Sequence, residues 1–390
     1  MIKKSLLKKF GRRLRVGFVG GGIDSVVGDT HLAAMRMDGK YDLVAGVMSI
    51  NKNISKLSGL RQLIDKKRIY ENYKEMAYKE YLHKDKIDIV VILTPPDSHI
   101  KIAREFIKKD IDVICEKPLS TNLSETLKFK ELIKRSKNCF VLNHCYTFYP
   151  LVREAKELIK QNTIGKVLLV ESELCAGIPD DPSDKNNKSS QHFRFKKSMG
   201  KGILLGEVGS HPLSLVAYIT GLKIRKISAY LETIAKNRTV YDNGYINIKY
   251  NNKAIGRMWA SFAAQGNDHG LSFRIHGEKG ALIWNQEEPN QLFLKKNNSP
   301  VKIFKPSHNS LHNISQLSSR LRPGHPEGLL SAFANLYSEF AEAIFAKKLK
   351  KENYKDYLND LPSVNDGIDI LKAIKASLKS NEKKGKWIDF

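Results

Sequence analysis

No stretch of this 390-residue chain stays apolar long enough to cross a bilayer. Its apolar runs, such as Ile87–Leu93 and Ile203–Leu205, fall well short of the ~20 residues a spanning helix needs. Met1 to Phe10 carries four lysines and no apolar h-region, so no secretory signal is expected. An Arg12-Arg13 pair invites a twin-arginine reading, yet Leu14-Arg15-Val16-Gly17-Phe18-Val19 reads as a first core strand instead. Cysteine is scarce. Cys115, Cys139, Cys145 and Cys175 form no CxxC pair and no Cys/His metal spacing. They read as free thiols of a reducing compartment, which places the chain in the cytoplasm with no metal site expected. Internal repeats are absent too.

Acidic residues are in deficit: 66 Lys and Arg face 41 Asp and Glu, a formal charge of +25. One reading is a nucleic-acid or anionic-surface partner. The other is a lysine-rich bias spread over solvated faces. Basic residues are dispersed and show no aromatic–basic interleaving, so no nucleic-acid or membrane partner is expected. Only residues 1–13 concentrate the charge, as an expected mobile basic arm.

What is present is an ordinary globular balance, 41% hydrophobic and 27% charged, at a length that fits two domains. Arg15–Val19, Tyr41–Val47, Ile87–Leu93, Asp112–Cys115 and Cys139–Leu142 read as buried strands. Between them His31–Met37, Ser98–Lys108 and Ser124–Arg135 have helical spacing. Such alternation predicts an α/β fold, a Rossmann-type doubly wound parallel sheet over residues 14–143. Beyond Tyr146 the rhythm changes. A helix around Pro150–Lys160 and a strand at Lys166–Leu174 precede a polar stretch, Pro179 to Gln191, read as a loop over the site. Longer strands follow at Ile224–Thr233, Tyr245–Tyr250, Ala254–Ala263, Leu271–His276 and Ala281–Trp284, with helices at Gly328–Phe345 and Val364–Ser380. Residues 144–390 are thus expected to form an α+β domain on a large, mostly antiparallel sheet. Its outer face needs cover, which predicts a homodimer or homotetramer.

The first strand runs into Gly20-Gly21-Gly22-Ile23-Asp24, with Gly28 just before the next helix. Glycines there let the backbone turn tightly and approach a pyrophosphate, with a helix N-terminus facing its charge. A side chain at Gly22 is expected to collide with that pyrophosphate. GxGxxG spacing is met by Gly20 and Gly22, whereas Gly28 comes late. The second strand ends in Ser49-Ile50-Asn51-Lys52 without the carboxylate that grips an adenosine ribose. Ser49, Asn51 and Lys52 are donors suited to a 2′-phosphate, so NAD(P) is the expected cofactor, with a lean to NADP or dual use.

If Leu93 closes the fourth strand and Cys115 the fifth, they lead into Thr94-Pro95-Pro96-Asp97-Ser98-His99 and Glu116-Lys117-Pro118. With the glycine loop and Gly200 to His211 these resemble the glucose-fructose oxidoreductase / inositol dehydrogenase (Gfo/Idh/MocA) family. The resemblance runs from Leu14 nearly to the end. It is closest to a subgroup with GGG, a late glycine and a following His31, so the late Gly28 is a subgroup trait.

The resemblance implies a cofactor set of Gly20, Gly22, Ile23, Ser49, Thr94, Pro95, His99, Glu116 and Lys117. Glu116 would anchor its loop, and Pro118 is often cis in this motif. Lys117 would hold the nicotinamide ribose and the substrate hydroxyl at a cleft where both domains meet. His211 would be the general base, with Glu207 touching substrate or orienting it. Tyr146 and His325 join His211 as substrate-binding candidates. Glu207 stands where the family usually has Asp, and Cys145-Tyr146 where many relatives have Asn-Arg. His325 and Glu327 are equally readable as a cap on the following helix, and Asn267 and His269 as ordinary loop. The implied activity is hydride transfer between nicotinamide and a hydroxyl or keto carbon of a sugar, cyclitol or sugar derivative. A glycosidase or lyase with no net cofactor turnover, and a non-catalytic nucleotide-binding module, are the alternatives.

Overall fold

The structure, a computed structural model, describes residues 5–178, 200–236 and 238–390. The chain divides into two compact units. One comprises Ile2–His144 with Phe333–Ile368, the other Cys145–Ala332 with Asp369–Phe390.

In the first unit five strands form a parallel sheet: β1 (Leu14–Gly20), β2 (Tyr41–Val47), β3 (Ile89–Leu93), β4 (Asp112–Cys115) and β5 (Phe140–Leu142), in the order β2-β1-β3-β4-β5. β3, β4 and β5 are buried along their whole length, as helices on both faces require. That explains the unbroken aliphatic run of β3 and the mostly apolar residues of β4 and β5. Three of the helices start at an asparagine whose side chain accepts from backbone N–H groups of the first turn: Asn51, Asn72 and Asn122. Register pairs Gly20 with Leu93, and Ile92 with Cys115. The glycine loop and the two loops after β3 and β4 therefore leave one edge side by side, the carboxyl end where such sheets bind ligands.

Leu93 and Cys115 close the third and fourth strands, one earlier than the sequence numbering had them. Between β2 and β3, Ile69 makes only a single bridge, to Gly46. Ile69 is confined between a single 3-10 turn, Lys66–Arg68, and the helix capped by Asn72, which leaves no length for a ladder.

Residues 5–13 are docked, contrary to the mobile arm expected. Leu7–Phe10 is a helical turn closed by Gly11 at φ +85°, and Ser5 and Leu6 donate to Glu342. The Phe10 ring lies 5.2 Å from that of Phe345. Arg12 grips buried Asp88 with two nitrogens, at 2.7 and 3.0 Å. The domain boundary also differs from the expected one, because Phe333–Ile368 belongs to the first unit. Tyr337 bonds His31, Lys347 pairs with Asp112 at 2.7 Å, and Val364 and Ile368 join the core of the parallel sheet.

The second unit is built on nine strands: β6 (Val167–Cys175), β7 (Ile224–Glu232), β8 (Asn243–Tyr250), β9 (Ile255–Ser261), β10 (Ser272–Gly277), β11 (Gly280–Asn285), β12 (Leu292–Lys296), β13 (Lys302–Phe304) and β14 (Ile388–Asp389). Their order is β13-β12-β11-β10-β6-β9-β8-β7-β14, and β6 and β9 pair in parallel among antiparallel neighbours. β12, β13 and β14 escaped the sequence reading because runs of two to five residues carry no readable period. Burial alternates along β7 and β8, so one face is covered and the other carries Tyr230 and Tyr245 outward. The polar stretch Pro179 to Gln191, read as a loop over the site, lies outside the described residues. Among the described residues no helix is long and apolar enough to cross a membrane.

Candidate active site

Glycine is required in the first loop by the protein's own backbone. Gly20 has φ +84°, and a Cβ on it would lie 2.5 Å from the Leu93 carbonyl oxygen. A Cβ on Gly28 would lie 2.4 Å from the Gly21 oxygen, so the late glycine lets the helix Gly28–Met37 start directly against the loop. This is the close-packing role of a third fingerprint glycine, filled at a later position. Gly22 donates its N–H to Met48 O at 2.9 Å, and a Cβ there would meet that same oxygen at 2.6 Å and Ser58 Oγ at 2.8 Å. A side chain at Gly22 thus strikes the protein before any ligand, which corrects the collision expected from sequence. Ile23, whose N–H donates to Ser58 Oγ, keeps an exposed side chain on the loop. The cradle and the helix N-terminus together fit a pyrophosphate.

At the end of β2 two of the three donors named from sequence, Ser49 and Lys52, are turned to carboxylates. Ser49 Oγ donates to Asp24 Oδ2 at 3.1 Å. Asn51 Oδ1 accepts from the N–H groups of Asn53 and Ile54. Lys52 Nζ pairs with Glu71 at 2.9 Å. With Ser49 and Lys52 turned to carboxylates, the lean to NADP is weakened.

Beyond β3 and β4, two loops are tied together by His99. Its buried ring sets Nε2 2.6 Å from Thr94 O and Nδ1 2.9 Å from Pro118 O. Thr94 Oγ1 meets Ser98 Oγ at 2.6 Å, and Pro95 stands exposed beside it. His99, named as a cofactor contact, also bridges the Thr94 and Pro118 loops through its ring. The Lys117–Pro118 bond is cis, as the resemblance implied.

Glu116 is the anchor of the Lys117 loop. Its Oε1 accepts from His31 Nε2 at 2.8 Å and from Asn143 Nδ2, and its Oε2 accepts the Lys117 N–H at 3.0 Å. Tyr337 Oη lies 2.7 Å from His31 Nδ1. Both ring nitrogens of His31 thus have a partner, Glu116 on one side and the Tyr337 hydroxyl on the other. Burial pushes the Glu116 carboxyl up, but the hydrogen bond and electrostatic pull of His31, the charge of Lys117 and the Asn143 amide outweigh it and hold it at about 2.

In the second unit Glu207 and His211 are both buried. A π-type turn, Leu205–Gly209, runs into the helix Ser210–Thr220, so the two residues do not share the one regular helix that their spacing suggested. Widened turns of this kind recur at functional sites. The His211 ring meets Tyr146 edge-on at 4.7 Å, and the Tyr146 hydroxyl lies 2.8 Å from His269 Nε2. The backbone N–H groups of His269 and Gly270 donate to Glu287, which holds this loop. His325 stands exposed, and among the described residues no contact joins it to Tyr146 or His211. Glu327 turns backward to accept from the N–H groups of Arg320 and Leu321, so it does not cap the helix that follows.

Residues 14–144 match the model for the oxidoreductase family with an NAD-binding Rossmann fold, and residues 152–283 match the GFO/IDH/MocA C-terminal domain. The chain belongs to the Gfo/Idh/MocA oxidoreductase family. A solved inositol dehydrogenase homolog from Azotobacter vinelandii, complexed with NADH and myo-inositol, is 28% identical, with 97% of this chain and 98% of that one covered at a TM-score of 0.91. An oxidoreductase from Sinorhizobium meliloti is 34% identical over 97% and 99% of the two chains, with a TM-score of 0.86. The Bacillus subtilis oxidoreductase YfiI is 28% identical over 97% of each chain.

Two residues at these sites were missed or left open by sequence reasoning. His269 had been left open between site and ordinary loop, and its contact with Tyr146 brings it in. Asp24 went unremarked; its carboxylate in the glycine loop meets Ser49 Oγ at the end of β2, a contact visible only in the structure.

Proposed function

We propose that this family member is an NAD-dependent dehydrogenase or reductase of a polyol, cyclitol or sugar derivative. The observation that carries the proposal is the Glu116 anchor, which fixes the Lys117 backbone at the carboxyl end of β4, on the same sheet edge as a glycine cradle that no side chain could fill. The relative with bound myo-inositol supports the polyol class.

Gly20, Gly22 and the N-terminus of the Gly28 helix would hold the pyrophosphate, with Thr94, Pro95 and Lys117 toward the nicotinamide. NAD, when bound, supplies the hydride acceptor. Lys117 positions the reacting hydroxyl through a charge-assisted hydrogen bond. His211 takes the hydroxyl proton as the carbon–oxygen bond becomes a carbonyl, and returns it in the reverse direction. Tyr146 and His269 offer a hydroxyl and an imidazole to further hydroxyls of a polyol. Four buried cysteines without a disulfide agree with a cytoplasmic setting.

A panel of cyclitols, sugars and sugar acids, offered with NAD and read at the nicotinamide absorbance, tests the reading. NADH accumulation with at least one polyol is the expected result. Product without net NADH points to a redox-neutral lyase or glycosidase, and no turnover with any polyol removes the substrate class.

The outer face of the nine-stranded sheet carries Leu169, Tyr230, Tyr245 and Ile255 exposed, around a depression of about 410 Å³ lined in part by Trp259, Arg257 and Arg274. We propose that this face is covered by a second copy in a homodimer or homotetramer. Light scattering at micromolar concentration is expected to give a multiple of the 44.2 kDa chain mass. Ile255→Lys should shift that mass toward one chain. A wild-type monomer would refute the assignment.

A further inference from the structure

We propose that Asp24, supplied by the glycine loop, sets the chain's preference for NAD over NADP. This rests on the cofactor reading above. In a Rossmann half, the adenosine ribose lies between the glycine loop and the end of the second strand, and a carboxylate there takes hydrogen bonds from its hydroxyls. That strand ends here in Ser49 and Ile50, neither of them acidic. The Asp24 carboxylate reaches across to this place. Its Oδ2 accepts from Ser49 Oγ at 3.1 Å, and its Oδ1 lies 3.2 Å from where a Cβ on Gly22 would stand. Asp24 is exposed, so the carboxylate faces solvent where the ribose would arrive. The charge has therefore moved from the strand end to the loop while keeping its station.

The surroundings agree in sign. Lys52, the cation nearest in sequence to the strand end, has its ammonium held by Glu71 at 2.9 Å. Asn51 turns its carbonyl oxygen to its own helix N-terminus. A 2′-phosphate arriving here meets a carboxylate and finds the lysine already paired, whereas a free 2′-hydroxyl finds an acceptor in Asp24. Ile50, fully exposed between Ser49 and Asn51, offers an apolar face to the neighbouring adenine. Two like charges a few ångströms apart in a solvated cleft, together with the lost hydroxyl bond, give a discrimination of roughly tenfold or more.

Titrating the full chain with NADH and with NADPH, followed by nicotinamide fluorescence, requires no substrate. The wild-type chain is expected to bind NADH at least about tenfold more tightly. Asp24→Ser should narrow that ratio by most of its value, chiefly by strengthening NADPH binding, and Asp24→Glu should keep it. Equal wild-type affinity for the two overturns the proposal and leaves the dehydrogenase reading standing. A wild-type preference for NADH that Asp24→Ser does not change also overturns it, because the discrimination then lies elsewhere. Binding of neither nucleotide removes the cofactor reading and this proposal with it. Melting curves of both variants, which alter one exposed loop residue, should superimpose on the wild type.

Discussion

Replacing His211 with alanine is expected to lower turnover of the identified polyol about 10²- to 10⁴-fold, the usual contribution of a positioned general base. Affinity for NADH, measured separately by fluorescence, should stay within about twofold, since that loss belongs to proton transfer and not to cofactor capture. His211 is suited to the task by its place in the second unit. It opens the helix Ser210–Thr220 directly after a π-type turn, and its ring rests against the edge of Tyr146. A merely structural histidine would also lower activity on removal, through local collapse, so the rate alone does not decide. The pH profile does. If His211 is the base, the acidic limb of kcat, where its imidazole becomes protonated, disappears from the residual rate of His211→Ala. A variant that is slow but keeps that limb makes His211 structural. Glu207, buried in the π-type turn, is then the next base to test; His325, exposed on its own turn, is not.

The parallel sheet was legible in the sequence for a simple reason. Strands buried on both faces are predominantly apolar, and Ile89–Leu93 with the Val113-Ile114 core of Asp112–Cys115 announce themselves between helical segments. The glycine loop, Thr94, Glu116 and Lys117 were legible because each sits at the end of such a strand. What depends on distant pairing was not. His31 and Glu116 are 85 residues apart and His31 and Tyr337 are 306 apart, so no local pattern links them. The same holds for Phe333–Ile368, whose helical periods say that a face is buried but not against which sheet. Asp24 was hidden differently: it is a single polar residue in a loop, and its meaning comes only from the 3.1 Å to Ser49. The bridging place of His99, buried between the Thr94 and Pro118 carbonyls, was equally invisible in its local sequence.

Glu116→Gln should be strongly damaging to the first unit, although it changes one atom. The carboxylate is buried and accepts three N–H donors: His31 Nε2, Asn143 Nδ2 and the Lys117 backbone. A glutamine has one acceptor oxygen, and its own NH₂ would face a donor wherever it turns. Either the Lys117 N–H or the His31 N–H is left unpaired in the interior. The expected cost is about 2–4 kcal/mol, from losing bonds to a charged acceptor and stranding a buried donor. It should appear as a clear fall in the melting temperature of the first unit.

Acidity gives the second signature. The folded carboxyl is held at about 2, below the ordinary value of ~4.3 for a glutamate. A depressed carboxylate contributes stability that is fully present above its unfolded value and lost as pH falls through its folded value. The stability gap between wild type and Glu116→Gln should therefore be constant above about pH 5 and shrink progressively toward pH 2. Activity should fall further than stability explains, because the Lys117 loop loses its anchor while the Lys117 side chain remains intact. Adding saturating NADH at pH 7 separates the two effects: a variant fully folded yet still slow shows Glu116 acting as a positioning residue through Lys117. A Glu116→Gln chain that melts with the wild type at pH 7 and turns over at the wild-type rate would mean that the His31–Glu116–Lys117 chain of bonds positions nothing.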